Sequence, residues 1–107
     1  MSKNLTPHRI SIMVGDRKID FESEGIARVA STFTVVGQYF GVPITAHELG
    51  EVEGLPDKES DVIYIVSGMV LDALKGSRND VVSPDTITGV IRNDKGQVEA
   101  VTMLRRR

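Results

Sequence analysis

Ser67 and Gly68 stand where an apolar run gives way to a short amphipathic segment, a junction at which an anion or polar ligand can dock. A serine and glycine at a helix start leave first-turn N–H groups pointing outward. With the Ser67 hydroxyl, those of Gly68 and Met69 form a cluster of donors for a phosphate or carboxylate. The same serine is also an ordinary N-cap, since its hydroxyl can accept an N–H from the first turn. Nucleophilic chemistry fits poorly. The sequence V-S-G lacks the glycine two residues before the serine that a nucleophile elbow uses, and no base is identifiable beside it.

A second polar group follows the helix: Arg78-Asn79-Asp80, then Ser83-Pro84-Asp85-Thr86. Arginine offers a planar fork of donors for phosphate or carboxylate. Asn79 and Asp80 can read a base edge or ribose hydroxyls. All of these are also turn formers, and Arg78 can pair with Asp80 or with Asp85. Loops carry sites more often than cores do. The candidate ligand-binding set is therefore Ser67, Gly68, Arg78, Asn79, Asp80, Asp85 and Thr86, joined by His8 at a strand start. On this reading Arg78→Ala abolishes ligand binding.

Other chemistries find little support. His8 and His47 are the only histidines. His47 and the adjacent Glu48 point to opposite faces of a strand, and no H-x-H or H-E-x-x-H spacing exists, so no metal is expected. Glu51 and Glu53 share a face, but they sit in a glycine-rich polar stretch and read as solvated charges. Without cysteine there is no disulfide, thiolate metal site or thiol nucleophile. No cofactor is expected. A net charge of −2 argues against general nucleic-acid binding, and Arg105-Arg106-Arg107 reads as a frayed, solvated end, with a phosphate contact as the alternative. No apolar stretch is long enough for a membrane span or a signal peptide, so a soluble, cytoplasmic protein is expected.

The elements that must position these residues fit one domain over residues 1–107. Residues 9–14 alternate and predict a strand. Gly15-Asp16 turns it into a return strand over 17–22. A longer strand over 26–36 places Ala27, Val29, Phe33 and Val35 on one side, with the three phenylalanines in the core. Phe40-Gly41 leads into 42–49, and 50–60 reads as a polar loop. The continuous apolar run 61–66 predicts a central strand covered on both faces. A helix of eight or nine residues follows, with Ser67 as its cap, Met69, Val70, Ala73 and Leu74 as its stripe, and Gly76 as its stop. Strands over 87–92 and 97–104 are joined by Asn93-Asp94-Lys95-Gly96. The fold class is α+β: a twisted, mostly antiparallel sheet with one short helix packed on it.

The segments NLTPH (Asn4 to His8), GEVEGLP (Gly50 to Pro56), YIVS (Tyr64 to Ser67) and ALKGSRNDVVSPDT (Ala73 to Thr86), in this order, resemble a family of small proteins widespread in bacteriophage and prophage genomes. The likeness runs over nearly the whole chain. It implies a viral or prophage accessory protein; such proteins include virion parts, inhibitors of host enzymes, and sponges for a host's nucleotide immune signal.

Together these readings predict a non-enzymatic phage accessory protein that sequesters a small anionic signal ligand, a nucleotide derivative being one candidate. The alternative is a virion-structural or host-protein-docking role through an exposed strand edge. A homo-oligomer is expected, because Met69, Val70, Ile63 and Ile65 offer more apolar surface than so short a helix needs.

Overall fold

The computed structural model describes residues 1–107, and its centre is β6 (Ile63–Ile65). This strand pairs in parallel with β1 (Ser2–Asn4) on one side and with β7 (Val81–Pro84) on the other. Being flanked on both sides, it needs apolar residues on both faces, as its sequence provides. β10 (Leu104–Arg105) extends the sheet, antiparallel to β7. The chain crosses from β6 to β7 through α1 (Gly68–Leu74), giving a small parallel βαβ unit.

Ser67 caps α1, its hydroxyl accepting from the Val70 N–H at 3.4 Å. The helix ends where Lys75 turns left-handed (φ 53°), with Gly76 (φ 78°) continuing the stop. The buried helix residues are Val70 and Leu71, whereas Met69 is half exposed. The buried face differs from the predicted stripe because α1 touches both β7 and the two long strands described below, which turns Leu71 inward.

A second sheet has the order β3-β2-β9-β8, built from β2 (Ile10–Val14), β3 (Arg17–Phe21), β8 (Val90–Arg92) and β9 (Val98–Val101). Both hairpin turns of this sheet are where the sequence predicts them. Gly15 takes φ 64° in the first, and in the second the Asn93 Oδ1 accepts from the Lys95 and Gln97 N–H groups. The predicted strand over 97–104 is divided between two sheets, as β9 and β10. The strand predicted over 87–92 begins only at Val90, since the Asp85 carboxylate binds the N–H groups of Ile87 and Thr88 and holds them in a turn.

The third sheet is a single hairpin, β4 (Arg28–Tyr39) with β5 (Val42–Glu53). Twelve residues at about 3.4 Å each give a ribbon of roughly 40 Å. It runs beyond both predicted limits: β4 continues to Tyr39, and β5 takes in residues 50–53 of the expected loop. Only its base, at Val29 and Val52, packs against the core. Phe33, Val35 and Phe40 are exposed and Phe21 is half-buried, so none of the three phenylalanines belongs to the buried core.

That core lies between the first sheet, α1 and the hairpin base. It comprises Leu5, Ala27, Val62, Tyr64, Val66, Val70, Leu71 and Val81. Asn4, fully buried, ties the sheets together. Its Nδ2 donates to the carbonyls of His8 and Phe21, and its Oδ1 accepts from the Thr6 N–H and hydroxyl. The class is α+β, with antiparallel hairpins surrounding a mixed, parallel-centred sheet. No helix is long and apolar enough to cross a membrane.

Candidate functional site

The parallel strands β1, β6 and β7 end toward the same edge of the sheet, at Asn4, Ile65 and Pro84, with β7 running two residues past Val82, the partner of Ile65. The residues that follow them, Thr6, Ser67-Gly68 and Asp85-Thr86, line a cleft of about 520 Å³. In open parallel sheets the crevice beyond the strands' carboxyl ends is the usual place for a ligand. The volume suits a small molecule, since such sites run from about 300 to 1,000 Å³. Of its ten lining residues only Ile87 is hydrophobic. Hydroxyls, two carboxylates and one guanidinium make up most of the rest.

Four of the sequence-predicted site residues therefore come together: Ser67, Gly68, Asp85 and Thr86. The other four do not. Residues 78–86 are not one loop, because Val81 to Ser83 form a buried strand about 10 Å long between the two polar groups. Asn79 and Asp80 lie at the opposite end of β7, where they border a second cleft with Lys58 and Arg106. There the Lys58 Nζ donates to the Asn79 Oδ1 at 2.6 Å. His8 is exposed and lines neither cleft; its carbonyl accepts from Asn4 and Thr6.

Arg78 is engaged by the protein itself. Its Nε and Nη2 donate to the two carboxylate oxygens of Asp80 at 2.9 and 2.8 Å, and Nη2 also donates to the Pro56 carbonyl at 3.0 Å. These hydrogen bonds hold the Asp80 carboxyl below its usual range, against the opposing effect of burial, and they push the Arg78 guanidinium further up. Arg78 thus clamps the segment before β6 to the start of β7. The prediction that Arg78→Ala removes ligand binding directly does not fit this placement.

Two side chains of the cleft are absent from the predicted set: Asp72 on α1 and Arg105 on β10. The arginine tail read as a frayed end is docked. β10 pairs Arg105 with Ser83, and the Arg107 Nη1 donates to the Asp72 carbonyl at 2.8 Å. Arg105 approaches the Asp72 Oδ1 and the Gly68 carbonyl, both at 3.5 Å. It lies so close over Gly68 that a Cβ there would meet its Nη2 at 2.9 Å. Glycine at this position makes room for the guanidinium. The weak sequence signal for this arrangement was the Val81-Val82-Ser83 run, whose β-branched residues fit a strand needing an edge partner.

Asp85 stays ionised. The Thr88 hydroxyl, then the backbone N–H groups of Thr88 and Ile87, lower its pKa. Its carboxylate is fixed in place at the cleft rim by its own turn. His47 lies elsewhere, on β5 beside the Phe33 ring, and Glu51 and Glu53 are exposed on the same strand. No three histidine, aspartate or glutamate side chains cluster closely enough to hold a metal. Comparison with known proteins gives no match: no protein-family model, curated protein or solved structure aligns significantly with this chain.

Proposed function

We propose that this chain is a non-enzymatic binding protein that sequesters a small anionic, nucleotide-derived ligand in the cleft at the ends of β1, β6 and β7. The observation that carries this reading is the state of Arg105. Its only two protein acceptors both stand at 3.5 Å, whereas a charge-assisted hydrogen bond closes to about 2.7–2.9 Å. The fork of donors is therefore held over the cleft without being saturated. Its pairing with the half-exposed Asp72 is of the weak surface kind and yields readily to a bound anion. Asp85, with the hydroxyls of Ser67 and Thr86, supplies acceptors and donors for ribose hydroxyls opposite the guanidinium. Binding then needs only donors already in position, with no bond broken. The resemblance to small phage and prophage proteins supports placing the ligand among host nucleotide signals, met in the host cytosol.

Native mass spectrometry of the freshly purified protein, repeated after denaturation, tests the reading. A nucleotide-sized mass carried only by the folded chain is the expected result, and Arg105→Ala should weaken it at least tenfold. A bare spectrum that stays silent with cyclic and ADP-ribose nucleotides would overturn it. The second reading, an interaction protein, draws on the exposed apolar residues of the β4–β5 hairpin.

A further inference from the structure

We infer that the outer half of the β4–β5 hairpin is a self-association arm, which packs against the same arm of a second copy of this chain. Phe33 is 65% exposed, Tyr39 68% and Phe40 89%, and Val35, Val36, Val42 and Ile44 join them. Together these seven side chains leave on the order of 800 Å² of largely apolar surface in water, divided between the two faces and the tip, so an identical arm buries what one partner contributes to a stable interface only by wrapping both faces. The register places Phe33 and Val35 on one face, opposite His47 and Thr45, while beyond the bulge at Val36 Tyr39 faces Val42. Neither face of the ribbon is covered. The arm also widens the molecule: its radius of gyration is 16.3 Å, against about 13 Å for a compact chain of this length.

A two-stranded ribbon alone in water is marginal, and soluble proteins guard such edges with charge. This arm carries Pro43 and two bulges but no charge. Between Arg28 and Glu48 there is no Asp, Glu, Lys or Arg, in a chain that is 26% charged. At the turn Phe40 adopts φ 50°, a left-handed position that normally goes to Asn, Asp or Gly. A bulky aromatic there presents its ring at the tip, stacked edge-on against Tyr39 at 4.5 Å.

The lack of charge also selects the occupant. Nothing on the arm would recognise a charged partner, whereas a second copy meets it without like-charge contact and brings an equal apolar area. A two-fold pairing of identical surfaces follows directly. Of the four apolar residues predicted from sequence for an oligomer, Val70 and Ile65 are used inside the chain, Ile63 is half-buried and Met69 stays half exposed; the hairpin offers the larger surface.

Sedimentation equilibrium of the wild-type protein at tens of micromolar should give at least twice the 11.7 kDa chain mass. Phe33→Lys combined with Ile44→Lys should return it to one chain mass with an unchanged far-ultraviolet spectrum. Should that variant not fold, hydrogen exchange of the wild type decides: amides of residues 31–47 should lose protection on dilution while those of β6 and β7 keep theirs. A wild-type monomer at every concentration, whose arm would then belong to another protein, overturns the inference. So does an oligomer indifferent to the two lysines, or dilution-sensitive protection lying outside the arm.

Discussion

Replacing Arg78 with alanine should destabilise the fold strongly, with a pH signature that identifies the cause. The Arg78 side chain is 22% exposed and that of Asp80 only 5%. Removing one member of such a pair leaves a carboxylate in a site built for its partner, which costs about 3–5 kcal/mol. Some water reaches Asp80 through the space vacated by the arginine, so the lower end, about 3 kcal/mol, is expected. For a chain of this size that is a fall of roughly 12–20 °C in Tm. The sign with pH follows from linkage. In the native chain the carboxyl of Asp80 titrates below its ordinary value. Its contribution is therefore complete above about pH 4 and is lost as the pH falls through the lowered folded value. In the variant, burial without the arginine raises the same pKa, so the folded form is favoured by acid. The stability gap should be widest near neutrality and close on acidification. Urea unfolding followed by circular dichroism, at a series of pH values and with matching m-values, measures it. A gap below about 1 kcal/mol at neutral pH, or one that widens toward acid, would refute the reasoning.

Three further outcomes are expected. Asn4→Ala removes four hydrogen bonds, two of them fully buried, and takes the amide donor from the Phe21 carbonyl while the His8 carbonyl keeps the Thr6 hydroxyl, for a loss of about 2–3 kcal/mol in thermal unfolding; a loss under about 1 kcal/mol would mean that water replaces the amide. Gly68→Ala should leave Tm nearly unchanged, because the atom a Cβ would meet is the mobile end of Arg105, yet weaken nucleotide binding by roughly tenfold, about 1.4 kcal/mol, in titration calorimetry. Unaltered affinity would remove Arg105 from the site. Gly54→Ala has no such escape: Gly54 holds φ 84°, and a Cβ would stand 2.4 Å from the Ile26 carbonyl oxygen. It should cost more than about 2 kcal/mol, read as a lower urea midpoint, and a neutral effect would show that the hairpin base can shift.

The sequence by itself determined the local features. Turn residues marked Gly15-Asp16 and the Asn93–Gly96 hairpin, Ser67 marked the helix start, and the unbroken apolar run marked the central strand, because each depends on neighbours a few residues away. The class α+β follows from that much. Three assignments went astray for one reason. Val81 to Ser83 lie between polar turn formers, so local chemistry reads a loop where β6 makes a strand by pairing with them. Phe33 and Phe40 read as core because hydrophobicity says what prefers burial, not whether the chain offers a place for it. The terminal arginines read as solvated because nothing near them in sequence holds them. Only the tertiary structure decided that Arg105 lies beside Ser83 and over Gly68, and that Arg78 and Asp85 belong to opposite ends of one strand. Such placements depend on pairings between distant segments, such as Leu5 N–H with the Ile65 carbonyl, whose partners no local pattern specifies.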